Sequence, residues 1–286
     1  MTTFSIVGGD KRNIFLKELL EDDGHKVKIY GFCDYKTKDL KNSKTLEDAI
    51  KDTDFIISSI PFTNKEGWLI FAPFSKEVIP YYDILQLMNS KQKLVAGSIN
   101  KDIMKTAKDK GIEFIDILKN EEINILNAVP TAEGIIKIAI EETEITLCTA
   151  NIMILGYGRI GSVTAHMLKG MGANVLVVTN RIFDSNRGKS FGHRVIDYSD
   201  INDHLMDMDI IINTANNNVI NSKNFIYISE DTLLIDVSSP PFGINMEDSF
   251  KFGAKTLWAR ALPGKIAPKS VAMYIRDGLY KIIDAQ

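Results

Sequence analysis

"ILGYGRIG", Ile154 to Gly161, decides how the chain is read. An apolar run ends in three glycines at the spacing G-x-G-x-x-G. "NIMIL" precedes them as a strand, a helical pattern runs from Arg159 to about Gly170, and "MGANVLVV" supplies a turn and a second strand. That is the strand, loop and helix order of a dinucleotide site. Gly156 makes the tight turn, Gly158 lets the backbone approach a pyrophosphate, and Gly161 lets the helix pack closely on the sheet. Amides at the helix start face the phosphates, with Tyr157, Arg159 and Ile160 in the same loop.

The residue closing the second strand separates the two nicotinamide dinucleotides. An NAD site carries Asp or Glu there, accepting from the ribose hydroxyls. Here the strand ends "VVTNR", Thr179-Asn180-Arg181, with no acid. Arg181 can pair with a 2′-phosphate, and Thr179 or Asn180 can donate to it. NADP is therefore expected ahead of NAD. Asp184 and Arg187 follow in what reads as a loop; an Asp184 folded back onto the ribose would restore NAD. Thr214 and Ala215, closing the strand in "DMDIIINTA", complete the expected cofactor set.

Short β-branched runs alternate with amphipathic segments on both sides of this loop. The pattern predicts an α/β chain of two Rossmann-like domains, doubly wound parallel sheets joined by a linking helix, with a C-terminal helix returning to the hinge. In the first half the strands are "FSIVGG", "KVKIYGF", "DFIISSI", "KLVAGSI" and "IEFIDI". In the second they are "NIMILG", "ANVLVV", "HRVIDY", "DMDIIINTA", "TLLIDVSS" and "AKTLWA". The expected divisions are an N-terminal substrate domain over 1–128, a linking helix over 129–149, the dinucleotide domain over 150–265, and a C-terminal helix over 266–286 packing back on the first domain. "LEDAIKDTDFIISSI" and "INDHLMDMDIIINTA" give the halves a weak likeness. Strand ends of the two domains are expected to line a shared cleft.

Composition narrows the function. The chain has 286 residues, 45% of them hydrophobic, and a net charge of -3 without a basic tract. That leaves no reason to expect a nucleic acid or an anionic membrane as partner. Cys33 and Cys148 lack metal-ligand spacing, so no disulfide scaffold or metal is expected. The first residues read as no signal peptide, and no apolar run reaches the roughly 18 residues of a membrane span, so a soluble cytoplasmic protein is expected.

Two Rossmann-like halves with a linking helix resemble 2-hydroxyacid and alanine dehydrogenases. The arginine and histidine of the 2-hydroxyacid enzymes are missing: Asn216 and Asn217 stand at the first place, and "LPGKIAPKS" has no histidine at the second. Lactate-type chemistry is not expected. More specifically, "IVGGDKR", "NAVPTAEG", "ILGYGRIG" and "ALPGKIAPKSVA", in this order, resemble motifs of the dipicolinate synthase A-subunit family along essentially the whole chain. The resemblance implies an NADP-dependent oxidation of dihydrodipicolinate, a lysine-pathway intermediate, to dipicolinate (pyridine-2,6-dicarboxylate). It also implies a partner, the flavoprotein-like B-subunit of dipicolinate synthase, and the mother-cell cytoplasm of a sporulating bacterium. A homo-oligomer is compatible. Two alternatives stay open: an NAD(P)-dependent dehydrogenase of another small carboxylate or amino acid, and a cofactor-binding regulatory subunit.

A ring with two carboxylates needs cations and exposed amides. Arg12 and Lys265 are the preferred carboxylate binders, Lys265 in a rigid turn between Gly264 and Pro268. The Gly8 and Gly9 amides, Ser58 and Ser59 at a strand end, and Ser98 and Asn100 are further candidates; Asn100 equally caps the next helix. Thr131 and Glu133 sit where the linking helix is expected to begin, with capping as the other role for Thr131. Asp10 reads as a helix cap or a base. Among the histidines, His166 reads as packed, His25 and His204 as surface residues, and His193 as a loop residue able to approach an adenosine. Trp258 is expected to shape the cleft.

Overall fold

The computed structural model describes residues 1–35, 40–216, 218–239 and 242–284, and it divides into two compact units. The first holds residues Met1–Leu126 and the C-terminal segment from Ala267; the second is Asn127–Ile266. Asn217 lies outside the described residues.

In the first unit the chain runs β1 (Thr3–Val7), α1 (Lys11–Asp22), β2 (Lys26–Tyr30), α2 (Leu46–Ile50), β3 (Phe55–Ser58), α3 (Tyr81–Leu87), β4 (Lys93–Ala96), α4 (Lys101–Asp109) and β5 (Glu113–Asp116). Every pairing is parallel, in the order β2-β1-β3-β4-β5. This is the flavodoxin-like variant of the doubly wound sheet. Phe4, Ile6, Ile57 and Val95 are buried on one face, Val7, Ile56 and Leu94 on the other. A sheet covered on both sides requires such apolar strands. Asp10 caps α1, its side chain accepting from the Arg12 amide, while Asn13 closes a capping box. Asn100 caps α4 by accepting from Ile103 N.

α5 (Glu121–Glu142) leads into the second unit. Its observed span differs from the expected linking helix over 129–149. It starts eight residues earlier, carries Pro130 inside, and ends at Glu142, before an irregular segment. Proline usually marks a first turn, which displaced the expected start. α5 is also long and apolar enough to cross a membrane by length and composition, contrary to the sequence reading. Its apolar side chains are used in packing: Ile123 enters the core of the first unit, Ile135 and Ala139 that of the second.

The second unit contains β6 (Asn151–Leu155), α6 (Arg159–Gly170), β7 (Asn174–Val178), α7 (Ile182–Ser190), β8 (Arg194–Ile196), β9 (Ile210–Asn213), α8 (Ser222–Phe225), β10 (Leu233–Asp236), α9 (Met246–Lys251), β11 (Lys255–Trp258) and α10 (Leu262–Ile266). The parallel sheet is ordered β11-β10-β9-β6-β7-β8. Read from β8, this is the Rossmann order, with its switch point between β6 and β9. Finally α11 (Pro268–Asp284) packs along α1, burying Val271, Ala272, Ile275 and Leu279 in the first unit's core.

Candidate dinucleotide site

The glycine loop lies between β6 and α6, at the switch point of the second sheet. Gly156 has φ +93°, a conformation that favours glycine. A Cβ on Gly161 would stand 2.2 Å from the Gly156 carbonyl oxygen, so the helix reaches the turn only because that position is bare. Gly158 caps α6 with an ordinary φ of -76°, and nothing lies within 4 Å of where its Cβ would be. Its lack of a side chain therefore serves neither backbone conformation nor internal packing. It leaves open space in front of the first amides of α6, which suits a phosphate approaching the positive end of a helix.

In front of the loop is a cavity of about 580 Å³. Gly156 to Gly158 form its floor, Thr179 to Arg181 one wall, and Thr214 and Ala215 the wall beyond the switch point. Thr214 Oγ1 donates to the carbonyls of Leu155 (3.0 Å) and Gly156 (3.4 Å), so it holds the loop from behind. Thr179 is buried, and its Oγ1 accepts from the Arg181 amide at 3.3 Å. Asn180 and Arg181 are exposed at the rim. The expected cofactor residues Gly156, Tyr157, Gly158, Thr179, Asn180, Arg181, Thr214 and Ala215 thus meet at one cavity. Arg159, Ile160 and Gly161 stand in the first turn of α6 behind it.

Asp184 and Arg187 are on α7, not in a loop as the sequence suggested. Asp184 is buried, with Arg181 and Arg187 each 3.4 Å from one of its oxygens. Its negative charge is therefore shared between two guanidinium groups. Arg187 also donates to the Tyr157 carbonyl and covers the Tyr157 ring at 5.1 Å. Behind that ring, buried His193 makes an edge contact at 5.7 Å, with neither ring nitrogen hydrogen-bonded. Burial lowers its pKa, and Lys169 and His166 act in the same direction. His166 is exposed on α6, where the sequence reading had it packed, and His25 is half-buried against Phe4 and Tyr280.

Sequence reasoning missed the far wall. Tyr198, Ile201 and Asn202 come from the segment after β8, and Asn221, Lys223 and Asn224 from the start of α8. Asn224 Nδ2 donates to Asn202 Oδ1 at 2.9 Å, tying the two segments together. Burial, with Asp197 adding, pushes the Tyr198 pKa up to about 12, so its hydroxyl keeps its proton and can donate. Chain spacing carried no signal for these residues. Asparagine-rich loops are common, and only the fold brings Asn202 and Asn224 together.

The expected substrate residues are mostly committed elsewhere. Arg12 is buried and pairs with Asp10 through Nε–Oδ1 and Nη2–Oδ2, both 2.9 Å; its Nη2 also donates to the Ile60 carbonyl at 2.5 Å. Asp10 is thus both helix cap and counter-ion. Ser58 Oγ donates to the Val7 carbonyl and Ser59 Oγ to the Phe62 carbonyl. The Gly8 and Gly9 amides bond the carbonyls of Tyr30 and Phe71. Thr131 stands inside α5, donating to the Asn127 carbonyl four residues back, so it is no cap. Glu133 is exposed on α5, and Lys265 is exposed on α10 where a rigid turn was expected. Among the described residues, no cluster of three His, Cys, Asp or Glu could hold a metal.

Residues 3–118 match the model of the N-terminal domain of the dipicolinate synthase A-subunit, and residues 137–248 that of shikimate/quinate 5-dehydrogenase. The dipicolinate synthase A-subunit of Bacillus subtilis (strain 168) is 26% identical over 98% of this chain and 95% of its own length. The crystal structure of the dipicolinate synthase A-subunit from Bacillus halodurans superposes with TM-score 0.90 and 27% identity, covering 98% of this chain and 97% of that one. The crystal structure of the Bacillus subtilis protein gives TM-score 0.87 and 26% identity, covering 99% and 96%. A dehydrogenase-like second unit makes this an oxidoreductase-type protein with a nicotinamide-dinucleotide fold. In its N-terminal match and its near-full-length likeness to curated and solved members, the chain is similar to the dipicolinate synthase A-subunit family.

Proposed function

We propose that this chain oxidises dihydrodipicolinate to dipicolinate with NADP as hydride acceptor, as one component of a dipicolinate synthase. The observation that carries the reading is the ribose end of the cavity. Arg181 stands exposed at its rim, and the nearest acid, Asp184, is buried and shared by two arginines. A phosphorylated ribose meets cations there and no exposed carboxylate. The nicotinamide ring supplies the hydride-accepting carbon when bound. The chain's own part is to hold the pyrophosphate on the α6 amides, hold the adenosine half between Thr179–Arg181 and the Asn202–Asn224 wall, and orient the anionic ring. In the balanced reaction the dihydropyridine loses a hydride to the cofactor and a proton to the medium, and the ring becomes aromatic.

A second, flavoprotein-like component completes the assembly in this proposal, which places the protein in the mother-cell cytoplasm of a sporulating bacterium. One observation favours the alternative of a cofactor-binding regulatory role: Ser58, Ser59, Thr131 and Arg12 are all engaged by backbone or by Asp10. The test mixes the full chain with NADP and enzymatically generated dihydrodipicolinate, with and without the flavoprotein-like partner, and follows dipicolinate absorbance. Turnover by the chain alone supports the proposal. Tight NADP binding with turnover only in the presence of the partner leaves the regulatory reading open. Turnover confined to other acids refutes the substrate assignment.

A further inference from the structure

Arg260 has a placement that the site described so far leaves unexplained. It follows β11, at the carboxyl edge of the second sheet, where open α/β sheets bind ligands. Arg12, Arg181, Arg187 and Arg276 each pair with a carboxylate. Arg260 is exposed and has no carboxylate partner among the described residues. Instead, its guanidinium carbon sits 4.3 Å from the centre of the Trp258 ring. An indole face is the strongest aromatic support for a cation.

The support is itself fixed. Trp258 Nε1 donates to the Ser238 carbonyl at 3.1 Å, and the Phe242 ring meets the indole edge-on at 4.2 Å. Ser238 is held by Asp236, which is fully buried at the end of β10 and accepts from the amides of Ser238, Gly243 and Ile244. The Ala259 amide bonds the Asp236 carbonyl at 2.8 Å, locking the end of β11 to β10. Asp236 therefore anchors both the platform and the backbone that carries Arg260. With its guanidinium carbon held over the indole and no carboxylate paired to it among the described residues, its N–H donors remain for a planar anion.

Topology gives this cation a role. Thr179–Arg181 and Tyr198 lie beyond β7 and β8, on one side of β6; β9, β10 and β11 lie on the other. A dinucleotide with its adenosine half on the first side leaves its reactive half to the β9–β11 side. We propose that Arg260 is a specificity-determining residue that takes a carboxylate of the anionic substrate, its guanidinium preset on Trp258. This rests on the substrate class in the function proposed above.

The test is titration of pyridine-2,6-dicarboxylate into the full chain saturated with NADPH, by calorimetry, for the unchanged protein, Arg260→Met and Arg260→Lys. Losing a charged, bidentate contact should raise the dissociation constant of Arg260→Met about ten- to hundredfold, with Arg260→Lys in between. NADPH should bind all three within about twofold, since Arg260 is not among the residues lining the dinucleotide cavity. Equal dicarboxylate affinity for Arg260→Met and the unchanged chain overturns the Arg260 assignment and leaves the proposed function standing. A parallel loss of NADPH also overturns it, because the effect is then structural. No dicarboxylate binding by the unchanged chain overturns both.

Discussion

Asp184 Oδ2 lies 3.4 Å from Arg181 Nη1, on the first turn of the helix that follows the second strand of the dinucleotide sheet. The acid that in an NAD site would face the ribose is here buried one turn further on, with Arg181 exposed above it. Arg181→Ala should weaken NADP about tenfold, the modest value reflecting an exposed cation in water, and should leave NAD nearly unchanged. Dissociation constants for both dinucleotides check it; equal losses would refute the 2′-phosphate assignment.

Arg187 acts differently, because it holds the loop. It donates to the Tyr157 carbonyl and covers the Tyr157 ring. Arg187→Met should lower affinity for NADP and NAD alike and cost about 1–3 kcal/mol of stability, by freeing Tyr157 and leaving Asp184 with Arg181 alone. A loss confined to NADP would show that Arg187, too, reads the phosphate.

His193 gives a pH dependence of stability. Burial holds its folded pKa below the ordinary 6.5. As pH falls, the unfolded chain takes up the proton first, so stability drops through that window and is fully present above it. His193→Phe keeps the aromatic edge toward Tyr157 and removes two unpartnered nitrogens. Its denaturation midpoint should fall less between about pH 7.5 and about pH 5.5 than that of the unchanged chain. Equal falls in urea melts would place the titration elsewhere.

Gly161→Ala tests the close approach of α6 to the loop. The added carbon would sit 2.2 Å from the Gly156 oxygen and 2.9 Å from Thr214 Oγ1. The backbone must move, at a cost of about 1–3 kcal/mol. A lowered melting temperature together with lost dinucleotide binding is expected; unchanged melting would mean the loop is looser than its geometry indicates.

Much of the fold was legible in the sequence. Apolar runs such as Ile152–Leu155 and Ile210–Ile212 are buried on both faces of a parallel sheet, so continuous apolarity marks them. The glycine loop was legible because three glycines, one for the turn, one leaving open space and one for close packing, fall within six residues. The start of α5 was not, since Pro130 reads as a boundary while the helix runs through it. The pairing of Arg12 with Asp10 was hidden as well. A cation two residues after a capping acid looks available for ligand until its side chain is seen to fold back on the cap. The far wall of the cavity was invisible because Asn202 and Asn224 meet only in three dimensions.

Gly158 offers the cleanest separation of folding from binding. Its φ suits any residue, and the position of a Cβ there is bare of protein atoms to 4 Å. Gly158→Ala puts one methyl group into the space in front of the α6 amides. The decisive measurement is NADPH titration of this variant beside its thermal melt: an unchanged melting temperature with affinity reduced about tenfold or more is expected. A variant that melts normally and binds NADPH as tightly as the unchanged chain would contradict a dinucleotide seated on this loop.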